Sequence, residues 1–455
     1  MSTRTENRAT GPVAAFMRPI NSLVERFIPS ALVFVIVLTV IVAILALTLT
    51  DAGPVDVIRS WGDGLAGLLA FMTQMALVLL LGHTLANTRL VRRLLNKLGG
   101  VPRNAIQAYA FVFVVASIAS LITWGLGLVV GGLLAKEVAA QLRARGVRLH
   151  FPLLVAAGYS GFVVWHMGYS GSGPLTAATE GSFLAEQIGR TIPLTDTTFS
   201  LWNILAAVAT IVVVALALTL VAPRKDAPIF ELAFDAREAE PAVDEVVTPA
   251  DRLDASRIPT LIIGLALVAY LVIHFVNGGT PTLDIVNWTF LGLIFLLVRN
   301  PFELIRLVKD AASNVGDILL QFPLYAGILG IMTGSGLIAV FSDAFVGIST
   351  PATFGLLALL SAGLVNFFVP SGGGQFAVQG PIMLDAAERL GVDPSVAIMA
   401  VSYGDQWTNM IQPFWALPLL AIAGLKIRDI LGYTTVTFLA AGLVFAATML
   451  IVGAG

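Results

Sequence analysis

Apolar runs of roughly 20 residues recur along the chain, the length a helix needs to cross about 30 Å of hydrocarbon. Uninterrupted runs cover Ala31 to Leu49, Leu65 to Leu85, Leu201 to Val221, Ile258 to Val276, Val286 to Val298, Ile318 to Phe341 and Tyr433 to Val452. Each predicts a membrane-spanning helix; Val286 to Val298 is the shortest. Two further regions in each half are apolar but broken near the middle by glycine, proline and polar residues. In the first half these are Ala105 to Leu142, broken at Thr123-Trp124-Gly125-Leu126-Gly127, and Phe151 to Leu184, broken at Gly168 to Pro174. In the second half they are Phe354 to Leu390, broken at Pro370 to Gln375, and Val396 to Leu425, broken around Gly404 to Asn409 and again at Gln412-Pro413.

Composition agrees with a bilayer rather than with a soluble core. Of 455 residues 57% are hydrophobic and 12% charged, more apolar surface than one or two water-soluble domains can hide. The net charge of −2 gives no reason to invoke nucleic acid, and the lack of cysteine removes disulfides and thiolate metal sites. The polar segment 1–27 reads as a cytoplasmic tail followed by a retained first span rather than a cleaved signal.

Charge placement predicts a topology. If the first broken region of each half is a re-entrant hairpin and the second crosses as a broken helix, about nine crossings result. The inner loops and tail then hold 23 of the 26 Lys and Arg residues, leaving Arg59, Arg190 and Arg389 outside. Five of those 23 fall in the acidic linker 223–257; without them the bias is still 18 to 3, which sets the N-terminus inside. The predicted fold is therefore an all-α polytopic membrane protein of two inverted-topology repeats. The first spans 28–222, with hairpin 105–142 and broken helix 151–184. A linking span at 258–277 follows, then the second repeat at 278–455, with hairpin 354–390 and broken helix 396–425. A shift of 244 residues aligns Ala156, Tyr159, Pro174, Leu175 and Ala177 with Ala400, Tyr403, Pro418, Leu419 and Ala421. The order of features, hairpin then broken helix then plain span, carries more weight than those identities.

Unwound backbone survives at membrane depth only where protein or a watery cavity satisfies it. One glycine-rich kink often serves helix packing. Four at matching positions predict a binding site near the midplane, where helix N-termini hold an anion and carbonyls hold a cation. The predicted substrate-binding residues are Trp124, Gly125, His166, Ser170, Gly171, Ser172, Ser371, Gly372, Gly373 and Trp407. Those predicted to bind the cation, with Na⁺ as the metal ion they would hold, are Thr123, Gly374, Gln375, Asp405, Thr408 and Asn409. Asp405 is the buried acid suited to neutralise a cation or accept a proton. His166 is equally compatible with a packed neutral ring, and His83 and His274 sit near span ends. Arg89 to Leu98, and more weakly Pro301 to Lys309, show amphipathic patterns suited to the inner surface.

Five motifs together resemble the short-chain fatty acid transporter family (AtoE type). They are Thr-Trp-Gly-Leu-Gly-Leu-Val-Val-Gly from Thr123, Tyr-Ser-Gly-Phe-Val-Val-Trp-His from Tyr159, Ser-Gly-Ser-Gly-Pro-Leu from Ser170, Pro-Ser-Gly-Gly-Gly-Gln from Pro370, and Gly-Asp-Gln-Trp-Thr-Asn-Met-Ile-Gln-Pro-Phe-Trp from Gly404. The resemblance implies a bacterial inner-membrane carrier of acetoacetate- and butyrate-like acids, with a scaffold, an elevator-type transport domain and a homodimer. It departs at Thr123, where an Asn is expected, and at Met167-Gly168-Tyr169, where a Gly-Gly-Leu type sequence is usual. The expected activity is uptake of a small monocarboxylate coupled to Na⁺ or H⁺, with no other cofactor. The absence of Arg or Lys at the breaks counts against a dicarboxylate or amino-acyl substrate, or an exporter of one. The lack of H-E-x-x-H, a nucleophile elbow or paired aspartates counts against a membrane-embedded hydrolase.

Overall fold

The computed structural model describes residues 31–223, 247–313, 315–366, 369, 371–412 and 415–453; the predicted tail and linker residues 224–246 lie outside them. Described residues form helices and turns, in the order α1 (Ala31–Leu49), α2 (Pro54–Gly64), α3 (Leu69–Ala86), α4 (Arg89–Gly99), α5 (Ala105–Ile122), α6 (Trp124–Ala144) and α7 (Phe151–Ser160). A 3₁₀ segment (Gly161–Met167) follows, then α8 (Ser172–Ala178), α9 (Phe183–Ile188), α10 (Leu201–Leu220), α11 (Pro249–Asp254) and α12 (Ile258–Val276). The second half contains α13 (Leu283–Leu297), α14 (Pro301–Ala312), α15 (Gly316–Ser335), α16 (Leu337–Ile348), α17 (Pro351–Asn366), α18 (Gly372–Leu390) and α19 (Pro394–Thr408). A second 3₁₀ turn (Asn409–Ile411), α20 (Leu417–Ala423) and α21 (Ile427–Gly453) complete it. Eight stretches among the described residues are long and apolar enough to cross a membrane.

Polar side chains fix several helix starts by accepting free N–H groups: Asn104 before α5, Ser200 before α10, Asn300 before α14 and Ser371 before α18. Exposure then sorts the layers. On α12, Ile258, Ile262, Leu265, Val272 and Val276 are exposed, an apolar surface that only lipid would solvate well. The α7 to α8 stretch is buried except at Tyr169, which is half-buried, and forms the centre.

Helix pairings recur in the same order in both halves. In the first, α5 packs on α6, α7 and α10, while α6 packs on α3 and α4. In the second, α17 packs on α18, α19 and α21, while α18 packs on α15 and α16. The outer helices cross over correspondingly: α1 and α2 pack on α15, α13 and α14 on α3. By this correspondence α4 is matched by α16, whereas the amphipathic segment from Pro301, in α14, lies on α3.

Two tyrosines tie the halves together at equivalent places. The Tyr159 hydroxyl on α7 donates to the Asn409 carbonyl at 2.7 Å, pinning the second break. The Tyr403 hydroxyl on α19 donates to Asn203 Oδ1 at 2.8 Å, and the Asn203 amide donates to the Met167 carbonyl at 3.1 Å, pinning the first. Tyr159→Phe removes one of two donors to the Asn409 carbonyl, leaving the Gln412 N–H at 3.3 Å, and is expected to cost about 1 kcal/mol. Melting of the detergent-solubilised variant measures this; an unchanged midpoint would remove the bond from the account of stability.

Four expectations are corrected. The run Ile318 to Phe341 is not one helix: Gly336 adopts φ 77°, ends α15 and starts α16. At the first hairpin only Thr123 leaves helical geometry, because Gly127 is used for contact; a Cβ there would lie 1.9 Å from Ser120 Oγ. The first broken helix begins to change at Gly161, before the glycine-rich stretch from Gly168. Gly404 to Thr408 stay helical, so Asp405 sits in the last turn of α19. A Cβ on Gly404 would lie 2.4 Å from the Leu359 carbonyl, so this glycine too serves close packing.

Candidate functional site

The first hairpin turns on a single extended residue, Thr123, whose neighbour Trp124 donates its backbone N–H to Ser170 Oγ at 3.1 Å. Ser170 belongs to the break between the 3₁₀ segment and α8, so this bond fastens hairpin tip to broken helix. Tyr169 N–H adds a second fastening by donating to the Leu121 carbonyl at 2.7 Å. Glycines make the approach possible. A Cβ on Gly168 would lie 2.2 Å from Leu121 O, and one on Gly161 would lie 2.6 Å from the backbone of Ala116 and Ser117.

An aromatic wall runs from this tip toward the second hairpin. Trp124 packs against Trp165 and Trp415 with centroids 6.2 and 5.3 Å apart, and Phe162 stacks on Trp165 at 5.5 Å. Trp165 stacks on His166 at 3.6 Å, and His166 meets the Phe376 edge at 5.9 Å. At its far end lies the start of α18, where Ser371 Oγ accepts the Gly374 N–H at 3.2 Å. A Cβ on Gly372 would stand 2.6 Å from Trp165 and 2.9 Å from His166 Nε2, so glycine lets the helix N-terminus reach that ring. The first N–H groups of a helix have no intrahelical acceptor and favour an anion.

Behind this wall is a buried polar network. The Asn366 amide donates to the Asp405 carbonyl, Thr408 Oγ1 and Asn409 Oδ1 at 2.7, 2.9 and 2.8 Å. Asn409 Nδ2 donates to Asp405 Oδ1 at 3.2 Å, and Gln412 Nε2 donates to the Asn366 carbonyl at 2.8 Å. Gln375 Nε2 reaches the Ala362 carbonyl at 2.9 Å. With the amides held this way, Asn366 Oδ1, Gln375 Oε1, Gln412 Oε1 and Asp405 Oδ2 have no hydrogen-bond partner among the described residues. Four hard oxygen acceptors, one of them a carboxylate, are chemistry suited to an alkali cation.

The predicted residues divide accordingly. Trp124, His166, Ser170, Gly171, Ser371 and Gly372 line the junction of the first break with the α18 N-terminus; a Cβ on Gly171 would lie 2.5 Å from the His166 carbonyl. Gly373 faces Phe71 and Phe322, and Gly125 rests on α3 near His83. Ser172 points to Met75 of α3. Trp407 is not beside this junction: it stacks on Phe438 of α21 at 4.4 Å and donates Nε1 to its carbonyl. Among the predicted cation ligands, Asp405, Thr408 and Asn409 share one network. Gln375 borders it through α17, Thr123 lies at the other hairpin, and Gly374 packs on Tyr325. Pro370 and Pro413 lie outside the described residues.

Asn366 and Gln412 were not among the predicted site residues. The available signal for Asn366 was a lone amide ending an otherwise apolar run, four residues before Pro370. Groups of three or more His, Asp or Glu suited to a transition metal do not occur among the described residues.

Helix breaks that meet around buried, unsatisfied polar atoms inside an apolar, all-helical bundle define a membrane transporter rather than an enzyme. Sequence comparison gives the family: the chain belongs to the short chain fatty acid transporters, whose family model matches residues 13–452. A relative of that designation in Escherichia coli (strain K12) is 40% identical over 96% of this chain and 98% of its own. Another, in Haemophilus influenzae (strain Rd), is 35% identical over 97% and 99%. The fold is similar to that of the Alcanivorax borkumensis YdaH transporter crystal structure, with a TM-score of 0.55 at 16% identity, covering 92% of this chain and 97% of that one.

Proposed function

We propose that the protein is a secondary active carrier of small monocarboxylates such as butyrate and acetoacetate, driven by Na⁺ or H⁺ across a bacterial inner membrane. The observation that carries this reading is the meeting of the α18 N-terminus with the first helix break, back to back with the Asp405 oxygen network. A carboxylate seats on the first N–H groups of α18 and Ser371, with Ser170 and Trp124 closing the opposite side. The coupling cation is held by Asp405, Asn366, Gln375 and Gln412, with Thr408 and Asn409 orienting them. One carboxylate and one cation then sit on either side of the same hairpin, so each lowers the electrostatic cost of the other.

The recurring helix pairs support two inverted repeats, and the Lys and Arg bias supports an N-terminus inside. Both α5 and α6 are long enough to cross by themselves, yet a two-helix excursion returns the chain to its starting side, so the orientation of every other span is the same either way. In this reading α5 to α10 and α17 to α21 move as a transport domain against a scaffold of α1 to α3 and α12 to α15. The helices α4 and α16 are the connecting arms, and a second copy pairs through the scaffold.

Uptake of labelled butyrate and acetoacetate into proteoliposomes tests this directly. Accumulation is expected under an inward Na⁺ or H⁺ gradient and not under K⁺ alone. Failure to accumulate either acid under both gradients would sink the proposal.

A further inference from the structure

We infer that the preferred substrate is a short hydroxycarboxylate, whose hydroxyl is read by His166. The inference rests on the carboxylate seat proposed above and narrows what occupies it. His166 is fully buried, and its backbone N–H is held by Gln406 Oε1 at 2.9 Å. Its ring is clamped by the Trp165 stack on one face, and Nδ1 lies 3.1 Å from the Ser402 carbonyl. A carbonyl only accepts, so Nδ1 bears the hydrogen; Asp405 Oδ1, 3.7 Å from the same nitrogen, favours that tautomer too. The other nitrogen, Nε2, is then a lone pair, buried and with no partner among the described residues.

That lone pair lies beside the carboxylate seat, since a Cβ on Gly372, the first residue of α18, would be 2.9 Å from Nε2. A buried acceptor without a donor is unfavourable, and a carboxylate oxygen, itself an acceptor, does not relieve it. Plain fatty acid anions would press methylenes against the lone pair. Acetoacetate, whose keto oxygen also only accepts, does no better. A hydroxyl on the first or second carbon beyond the carboxyl group donates O–H to Nε2 while the carboxylate stays on α18. Because the imidazole stands on one side of the seat, the two enantiomers of a hydroxy acid are not equivalent.

Thermal stabilisation of the purified protein measures the affinities, with butyrate, 3-methoxybutyrate and the separate enantiomers of 2- and 3-hydroxybutyrate as probes. One hydroxy acid enantiomer is expected to bind about tenfold tighter than butyrate, the worth of one net hydrogen bond, and the methoxy acid is expected to lack that gain. His166→Phe keeps a flat ring without the acceptor and brings the hydroxy acid to butyrate ratio to one. His166→Gln returns an acceptor and restores part of the preference. Equal binding of butyrate and every hydroxy acid by the wild type would overturn the inference, as would a full preference surviving in His166→Phe. If a monodisperse wild-type protein binds no short monocarboxylate at all, the proposed function falls and this inference with it.

Discussion

Asp405→Asn is expected to reduce gradient-driven uptake about 100-fold or more while leaving the protein folded in the membrane. The carboxylate is 1% exposed, and among the described residues only one of its oxygens has a hydrogen-bond partner, Asn409 Nδ2. Removing one partner of a buried charge pair typically costs about 3–5 kcal/mol, and the pair at stake here is Asp405 with its bound cation. The substitution is nearly isosteric: the asparagine oxygen can keep the Asn409 bond. Its new N–H₂ group faces a network whose free side-chain atoms, on Asn366 and Gln412, are acceptors. Stability should therefore hold or rise as transport is lost, a split that a general packing defect would not produce. Proteoliposome uptake and detergent melting of the same preparation read the two quantities. Wild-type accumulation in the variant would remove Asp405 from the mechanism.

The parts of this site that were legible in the sequence are those where a residue type has one use at membrane depth. An acid at position 405 inside an apolar run, and Ser371 ahead of three glycines, each implied a polar site before any contact was known. Glycine was ambiguous because it serves two ends. It marks the turn at Gly336, inside a run that reads as one span, yet at Gly127 and Gly404 it lets helices touch without unwinding. Tryptophan was ambiguous for a similar reason: Trp124 and Trp407 both adjoin breaks, but only the first turns inward, a matter of helix phase set by tertiary packing. Asn366 stayed hidden because its importance lies in partners 39 to 46 residues away. The aligned tyrosines, by contrast, carried more than their identities suggested, since Tyr159 and Tyr403 each brace the other half's break.

Gly168→Ala is expected to be the most damaging single-methyl addition near the site. Its backbone is not left-handed; what glycine supplies is proximity. The added carbon would lie 2.2 Å from the Leu121 carbonyl oxygen and 2.5 Å from Leu121 Cα, both backbone atoms at the end of α5 that no rotamer change can clear. Relief requires the break to move away from the hairpin tip. That separation breaks the 2.7 Å bond from Tyr169 N–H to Leu121 O and strains the one from Trp124 N–H to Ser170 Oγ. Overpacking alone typically costs about 1–3 kcal/mol, and a backbone pair parted in a dry interior adds an amount of similar size. The expected sum is about 3 kcal/mol or more, with loss of uptake because the first break no longer meets the hairpin. Gly62→Ala is the matched control: that helical glycine has nothing within 4 Å of the added carbon, so the change should be neutral or stabilise by about 0.5–1 kcal/mol. Melting both variants in the same detergent decides it. A Gly168→Ala midpoint equal to that of Gly62→Ala would mean that the hairpin and the break are not in the close contact from which the site has been built.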